Sequence, residues 1–229
     1  MSSKFSSVKG MHDLLPPGID AWHRLEAIAR ETMQRYGYGE VRTPIVEETE
    51  LFTRSVGETS EIVGKEMYDF KDKGDRHIAM RPEGTAPAAR AYLEHSIHMK
   101  GPITRWYYLG QMFRYERMKT GSTRMFWQLG VEAYGPAEPA MDAEVMELAV
   151  HFIERLGLKN VRLEINSLGD ETTRPAYLEK VRAHFSPHVD KMSDYARQTL
   201  AGNPMRLLDT KEEPLLPIVA TAPVMLDAI

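Results

Sequence analysis

The segment from Phe113 to Gly135 constrains the fold most strongly, because its polarity alternates with a period of two. Side chains of a β-strand point alternately to opposite faces of the sheet. The odd-numbered positions in its second half are apolar: Met125, Trp127, Leu129, Val131 and Ala133. The even-numbered positions are Arg124, Phe126, Gln128, Gly130, Glu132 and Tyr134. We therefore predict two strands, 104–116 and 124–134, joined by a polar loop and with one face in the core.

The opposite face of this hairpin combines groups that suit a binding site. On the first strand, Arg114 and Glu116 can fall on the same face as the even positions of the second. Together these residues offer cations for a phosphate, an aromatic ring for a base, and carboxylates for an ammonium or imidazole. A solvated sheet face is the alternative that the pattern alone leaves open.

The composition limits the class of protein. A chain of 229 residues can bury a real core, and one large domain is the natural expectation. The formal net charge is −4, so any contact with nucleic acid would need a local basic patch. With no cysteine, disulfides and thiolate metal sites are excluded, and the histidines lack zinc-site spacing, so we predict no metal site. The chain has no run long enough for a transmembrane helix and no apolar segment at its start, so we expect a cytoplasmic protein without membrane attachment.

The rest of the chain predicts a mixed α+β fold. Helical spacing of apolar residues predicts a helix over 18–36, followed by a short strand at 40–43 that Pro44 ends. We expect helical turns within 47–64, a strand pair at 66–70 and 77–81, and a helix from an N-cap at Thr85 to about His95. Further on we expect a helix at 141–156, a strand at 161–166, and one or two helices within 174–201. No glycine-rich dinucleotide or P-loop string occurs, which excludes those nucleotide sites.

Several blocks of the sequence resemble histidyl-tRNA synthetases, which are class II aminoacyl-tRNA synthetases. The segment at about 105–135 resembles motif 2. The resemblance lies in the string Phe113-Arg114-Tyr115-Glu116-Arg117 and in the second half of the hairpin that follows it. The segment 18–44 resembles motif 1, and 81–85 resembles the amino-acid-binding loop; 9–16 and 203–211 resemble two further family strings. The resemblance covers essentially all of 1–229 and implies a class II synthetase-like antiparallel sheet flanked by helices. The family's motif 3 and anticodon-binding domain have no counterpart, so we expect an incomplete catalytic core, truncated before motif 3.

The resemblance implies a histidine–tRNA ligase, which activates histidine with ATP to histidyl-adenylate and transfers it to tRNA(His). Arg114 would be the catalytic cation, because a guanidinium is always charged and can bridge the histidine carboxylate and the α-phosphate. The ATP-binding residues would be Arg114, Glu116, Arg124 and Phe126, with Phe126 stacked on adenine. The histidine-binding residues would be Glu83, Thr85, Arg114, Gln128 and Glu132.

The resemblance also implies partners beyond histidine and ATP. Arg117 and Lys119 lie in the hairpin loop that meets the acceptor end of tRNA in class II enzymes. The alternative is that these two exposed cations serve only solubility. Mg²⁺ would accompany ATP, with no ligand named in this chain. Motif 1 builds the dimer interface of class II enzymes, so a homodimer is implied.

Some positions of motif 2 depart from the family pattern. These are Met118, Lys119, Ser122, Thr123, Met125 and Trp127. Ser122 stands where the family has arginine, and one lost charged contact typically costs about 1.5–3 kcal/mol. We therefore expect the changes, together with the missing motif 3, to impair turnover rather than folding.

Two other functions fit the same resemblance. One is the synthetase-like, non-catalytic regulatory subunit of ATP phosphoribosyltransferase in histidine biosynthesis, which would bind histidine as an effector. The other is a folding or dimerisation module without chemistry. The adenine-stacking Phe126 and the α-phosphate cation Arg114 have no purpose in a purely regulatory protein, and this favours the ligase.

Overall fold

The computed structural model describes residues 5–56, 64, 66–135, 137–167 and 169–228. They belong to two compact units, Met1–Val161 and Arg162–Ile229. The helices of the first unit are α1 (Gly18–Arg35), α2 (Thr49–Val56), α3 (Thr85–Glu94) and α4 (Pro139–Arg155), with a 3₁₀ turn at Ile97–Met99. Its strands are β1 (Gly39–Glu40), β2 (Val46–Glu48), β3 (Tyr68–Lys71), β4 (His77–Met80), β5 (Thr104–Phe113) and β6 (Met125–Tyr134). The predicted α+β class is confirmed.

The strands of the first unit form two sheets of three strands each. One sheet has the order β1-β5-β6, and the other has the order β2-β4-β3. β5 and β6 pair antiparallel along their whole length, from Thr104↔Tyr134 to Phe113↔Met125. β1 pairs parallel with β5, so this sheet is mixed, with a short parallel pair beside the predicted antiparallel strands. The predicted strand pair at 66–70 and 77–81 is confirmed as β3 and β4.

The odd-numbered face of the hairpin packs in the core, as its alternation predicts. Tyr107 of β5 is buried with Met33 of α1 and Leu148 of α4, and the partly buried Leu129 and Val131 of β6 pack against them. Because these side chains pack against α1 and α4, the sheet is held to both helices. Ala133 is the exception, since it is exposed near the end of β6.

The second unit is helical in its described residues. It contains α5 (Thr173–Phe185), α6 (Asp194–Ala201) and α7 (Leu216–Val219), with 3₁₀ turns at Ser186–Lys191, Pro204–Asp209, Glu213–Leu215 and Met225–Ala228. Val181, Phe185, Leu207, Leu215 and Met225 form the centre of its core. The Ser193 hydroxyl caps α6 by accepting from the Ala196 N–H at 3.1 Å. The 3₁₀ turn at Ser186–Lys191 separates α5 from α6, so the segment 174–201 contains two helices, as one of the two predictions had it.

Some element predictions were wrong. The predicted strand at 161–166 is irregular, and Val161, Leu163 and Ile165 are each about half exposed. Apolar alternation alone does not make a strand, because the backbone also needs a partner for its hydrogen bonds, and 161–166 has none among the described residues. The strand predicted at 40–43 is shorter in the structure, and the strand β2 was not predicted. The helical turns predicted within 47–64 correspond to α2, and residues 57–63 lie outside the described residues. Among the helices that the structure describes, none is both long and apolar enough to cross a membrane.

Candidate active site

The centre of the even-numbered face is a tyrosine ring held between two glycines. The register places Tyr108 of β5 opposite Gly130 of β6. A Cβ atom on Gly130 would lie 2.3 Å from the Tyr108 hydroxyl oxygen, and one on Gly84 would lie 2.2 Å from its Cε2 atom. Only glycine leaves room for the ring at either position. The buried Tyr108 therefore joins the sheet to the loop that precedes α3.

The start of α3 is capped by Glu83. Its carboxylate accepts from the backbone N–H groups of Thr85 at 2.6 Å and Ala86 at 2.9 Å. The predicted N-cap at Thr85 is wrong: Gly84 occupies the N-cap position, and Thr85 is the first helical residue. The glutamate side chain is long enough to reach back to the free N–H groups, which also favour a negative charge. The Thr85 hydroxyl is thereby available for another bond.

Glu132 is a partly buried carboxylate next to this cap. Burial raises its pKa above the ordinary value, and hydrogen bonds to Thr85 and Tyr108 oppose that shift, whereas the negative charge of Glu83 adds to it. Burial also raises the pKa of Tyr108, to about 12, so its hydroxyl is a hydrogen-bond donor at neutral pH. Two carboxylates in a partly desolvated site attract a cation or a group with N–H donors.

Gln128 presents a buried acceptor to the same face. Its Oε1 atom has no hydrogen-bond partner among the residues that the structure describes. Unsatisfied buried oxygens are uncommon in native proteins, and one on a polar face is typical of a site that a ligand completes. Gln128 lies opposite Gly110, and a Cβ there would be 2.5 Å from the Arg81 Nη2 atom.

The buried Arg81 fixes the loop that carries Glu83 and Thr85. Its Nε donates to the Gln111 carbonyl at 3.0 Å, and its Nη1 donates to the Thr43 carbonyl at 2.9 Å. The Arg81 side chain thus links β5, at Gln111, to the segment that follows β1, at Thr43. Burial lowers the pKa of this guanidinium.

Arg114 and Phe126 form the other end of the face. The Arg114 Nε donates to the Pro82 carbonyl at 2.8 Å, and its Cζ lies 5.1 Å from the centroid of the Phe126 ring. Among the described residues no carboxylate forms an ion pair with Arg114, and this includes the neighbouring Glu116. The arginine combines an available charge with an aromatic platform, as a nucleotide phosphate and base require.

The remaining predicted residues lie around the hairpin loop. β5 ends at Phe113, so the prediction that Arg114 and Glu116 continue the strand is wrong. The Arg114 N–H still donates to the Arg124 carbonyl at 3.0 Å, and on the other edge the Tyr115 N–H donates to the Glu66 carbonyl at 2.7 Å. Arg124 lies with its Cζ 3.6 Å above the Tyr115 ring and donates from Nε to the Glu116 carbonyl at 3.3 Å. The loop residues Arg117 and Lys119 are exposed.

The structure therefore brings together most of the predicted site. Glu83, Thr85 and Glu132 meet around Tyr108, and Arg114 meets Phe126. No hydrogen bond or ion pair joins either group to Arg117 or Lys119 in the part of the chain that the structure describes. Sequence analysis did not identify Tyr108. It occupies an even-numbered position of the first strand, which places it on the site face once the strand register is known.

The chain is similar in sequence to known proteins. The family model described as histidyl-tRNA synthetase matches residues 10–169, which include β5, β6 and α3. The chain belongs to the histidyl-tRNA synthetase family. Histidine–tRNA ligase of Streptococcus equi subsp. equi is 47% identical over 227 residues, which are 98% of this chain and 53% of that protein. That of Moorella thermoacetica is 48% identical over 218 residues, covering 95% of this chain and 52% of that protein. The chain spans about half the length of these curated relatives.

Solved structures agree with this membership. The crystal structure of apo S. aureus histidyl-tRNA synthetase superposes with a TM-score of 0.72 at 37% identity, over 98% of this chain and 50% of that chain. A Bacillus halodurans protein described as an ATP phosphoribosyltransferase regulatory subunit/histidyl-tRNA synthetase has a TM-score of 0.64 at 24% identity, over 91% of this chain and 57% of that chain. The second likeness concerns the fold alone.

One departure from the histidyl-tRNA synthetase pattern has a structural explanation. Trp127 lies on the core face of β6, and its ring centroid is 5.3 Å from that of Trp22 in α1. The indole therefore packs against α1, on the face of the sheet opposite to Gln128. Nothing in the structure explains Ser122 in place of the family's arginine.

The fit of Tyr108 between two glycines gives a stability prediction. We expect Gly130→Ala to lower the free energy of unfolding by about 1–3 kcal/mol, because the new methyl group must displace the buried ring. Thermal or urea unfolding, followed by circular dichroism, measures this change. Gly101→Ala is the matched control, since a Cβ there meets nothing within 4 Å. Equal stability of the two variants would contradict the packing described.

The raised pKa of Glu132 gives a pH-dependent prediction. Because burial raises its pKa in the folded chain, the folded state disfavours the ionised carboxylate. The stability associated with the protonated form is present at low pH and is lost as the pH rises through the raised pKa. We expect Glu132→Gln to unfold at a higher temperature than the unaltered chain at pH 7, with a difference that shrinks as the pH falls. The exposed Glu171→Gln should show neither effect, and a destabilised Glu132→Gln at pH 7 would contradict the burial cost.

Proposed function

We propose that this chain carries the histidine-activation site of a histidine–tRNA ligase. The observation that carries the proposal is the even-numbered face of β6, where Phe126, Gln128 and Glu132 follow one another beside Arg114 and Glu83. An aromatic ring beside a cation that pairs with no described carboxylate at one end, and acceptors at the other, match ATP and histidine respectively. The reaction is attack of the histidine carboxylate on the α-phosphate, which forms histidyl-adenylate and releases pyrophosphate.

Histidine would bind by its two nitrogen-containing groups. Its α-ammonium has three donors, which Gln128 Oε1, Glu83 and the Thr85 hydroxyl can accept. Glu83 already accepts two backbone N–H groups, but a carboxylate has further lone pairs. The imidazole would donate to Glu132. The absence of a partner for Gln128 Oε1 among the described residues supports this arrangement, because the ligand would supply one.

ATP would bind at the Arg114 end. The adenine ring would stack on Phe126, and the Arg114 guanidinium would bridge the substrate carboxylate and the α-phosphate. Both reacting groups are anions, so a fixed cation lowers the cost of bringing them together and stabilises charge in the transition state. Glu116 and Arg124 would complete the nucleotide site only if the loop rearranges, since Arg124 now lies on Tyr115. Mg²⁺ would bind with the ATP phosphates.

The wider assignment follows from the family. We propose that Arg117 and Lys119 contact tRNA(His), that motif 1, at about 18–44, contributes to a homodimer, and that the protein acts in the cytoplasm. The regulatory alternative would use the histidine end of the face alone.

Histidine-dependent exchange of pyrophosphate into ATP tests the proposed function. We expect exchange that requires histidine and falls roughly a hundredfold in Arg114→Ala, because the variant loses the cation at the reacting phosphate. Arg76→Ala, an exposed arginine in the β3–β4 loop, is the control and should keep full exchange.

Calorimetry with histidine separates the other outcomes of this experiment. Histidine binding without any exchange would contradict the ligase and favour the regulatory function. Neither binding nor exchange, in a chain that is folded by circular dichroism, would leave only a module without chemistry.

A further inference from the structure

The aromatic ring of Tyr115 carries the guanidinium of Arg124 beside the hairpin loop. The Arg124 Cζ atom lies 3.6 Å from the centroid of this ring, a distance typical of a close cation–π contact. The Tyr115 ring makes an edge contact in turn with the ring of Tyr68 in β3, with centroids 5.6 Å apart. The surface under Arg124 is therefore supported by the other sheet, which β2, β4 and β3 form.

The stem of Arg124 packs against Gly10, in a segment to which the site gives no other role. A Cβ atom on Gly10 would lie 2.9 Å from the Arg124 Cγ atom, and the Gly10 carbonyl accepts from the Arg124 N–H at 2.7 Å. Within the described residues, the Arg124 side chain donates only from Nε, to the Glu116 carbonyl at 3.3 Å, and forms no ion pair. Packing and the aromatic ring thus hold this cation, and no described carboxylate neutralises it.

Arg124 and Arg114 are neighbours across the hairpin. The Arg114 N–H donates to the Arg124 carbonyl at 3.0 Å, while the Arg114 guanidinium lies over Phe126. Like charges on neighbouring segments repel each other, and neither arginine forms an ion pair with a described carboxylate. In the free chain this repulsion favours a place for Arg124 that is separate from Arg114, and the Tyr115 ring provides it.

A polyphosphate would reverse this balance. Phosphate oxygens form charge-assisted, often bidentate hydrogen bonds with a guanidinium, and their negative charge removes the repulsion between two arginines. The contact with Tyr115 is weaker by comparison, because this ring is about half exposed. A ligand that needs Arg124 away from the ring binds with an affinity reduced by the small population of that conformation. The ring therefore competes with the phosphates for the cation.

We propose that Tyr115 is a positioning residue that holds Arg124 away from the nucleotide until ATP binds. ATP would draw the guanidinium from the ring to the phosphates beyond the α-phosphate, which Arg114 would occupy. This inference rests on the proposed ATP site of the same face. It makes the second cation respond to the charge of the ligand, so a triphosphate engages it and a monophosphate does not.

Calorimetric binding of ATP with Mg²⁺, and of AMP, tests the proposal. In Tyr115→Leu, which removes the ring but keeps an apolar side chain, ATP affinity should rise roughly fivefold and AMP affinity should stay the same. Tyr115→Phe keeps the ring face, so it should behave as the unaltered chain. In an Arg124→Gln background, Tyr115→Leu should no longer change ATP affinity, because the cation that the ring holds is absent. Tyr195→Leu, which removes an exposed tyrosine of the second unit, is the matched control and should change neither affinity.

The other binding results are distinguishable. Unchanged or lower ATP affinity in Tyr115→Leu would overturn the role of Tyr115 and leave the ATP site intact. An equal gain for ATP and AMP would mean that Tyr115 acts on the shape of the site, and would also overturn the proposal. Absence of ATP binding by the unaltered chain would refute the proposed function itself.

Nuclear magnetic resonance of the unaltered chain decides the matter if Tyr115→Leu fails to fold. The Arg124 Nε–H resonance, assigned by its loss in Arg124→Gln, should be shifted upfield in the free chain by the ring current of Tyr115. Saturating ATP should return it to the range of the other arginines, and saturating AMP should not. A resonance that stays upfield with ATP bound would overturn the proposal.

Discussion

The antiparallel pairing of β5 with β6 is the constraint on which the rest of the first unit depends. Its register places Tyr107 and Val131 on the face that packs on α1 and α4, and Tyr108 and Gly130 on the opposite face. Because side chains alternate with a period of two, a slip of one residue would exchange the two faces. The core and the candidate site are therefore set by the same hydrogen bonds, and neither can form in another register.

The candidate site contains groups that lower the stability of the free chain and that a purely structural sheet face would not need. Burial disfavours the charge on Glu132, the Gln128 and Tyr134 oxygens are buried without partners among the described residues, and Arg81 is buried among carbonyl groups. Such features cost stability in the free chain, and a ligand that supplies donors and an acceptor would recover it. Their concentration on one face, beside the Arg114–Phe126 pair, is what separates this face from ordinary surface.

Period-two alternation was sufficient to predict the hairpin, its core face and which residues share the opposite face, because alternation is a local property of the strand. The assignment of a binding role to those residues came from the family resemblance. What it could not predict depends on partners distant in the sequence. The capping role of Glu83 depends on where α3 begins, and the burial of Tyr108 depends on glycines at positions 84 and 130. The apolar alternation at 161–166 looks the same as that of a strand, but no neighbouring strand pairs with it.

Nuclear magnetic resonance of ring-¹⁵N-labelled L-histidine bound to the chain would test the central claim most directly. The account predicts a bound, neutral imidazole, with contacts from its ring protons to the side-chain protons of Glu132 and from the ligand's α-proton to the methyl group of Thr85. These contacts would place the ligand between β6 and the start of α3. A bound imidazolium, or contacts only to residues away from this face, would contradict the account.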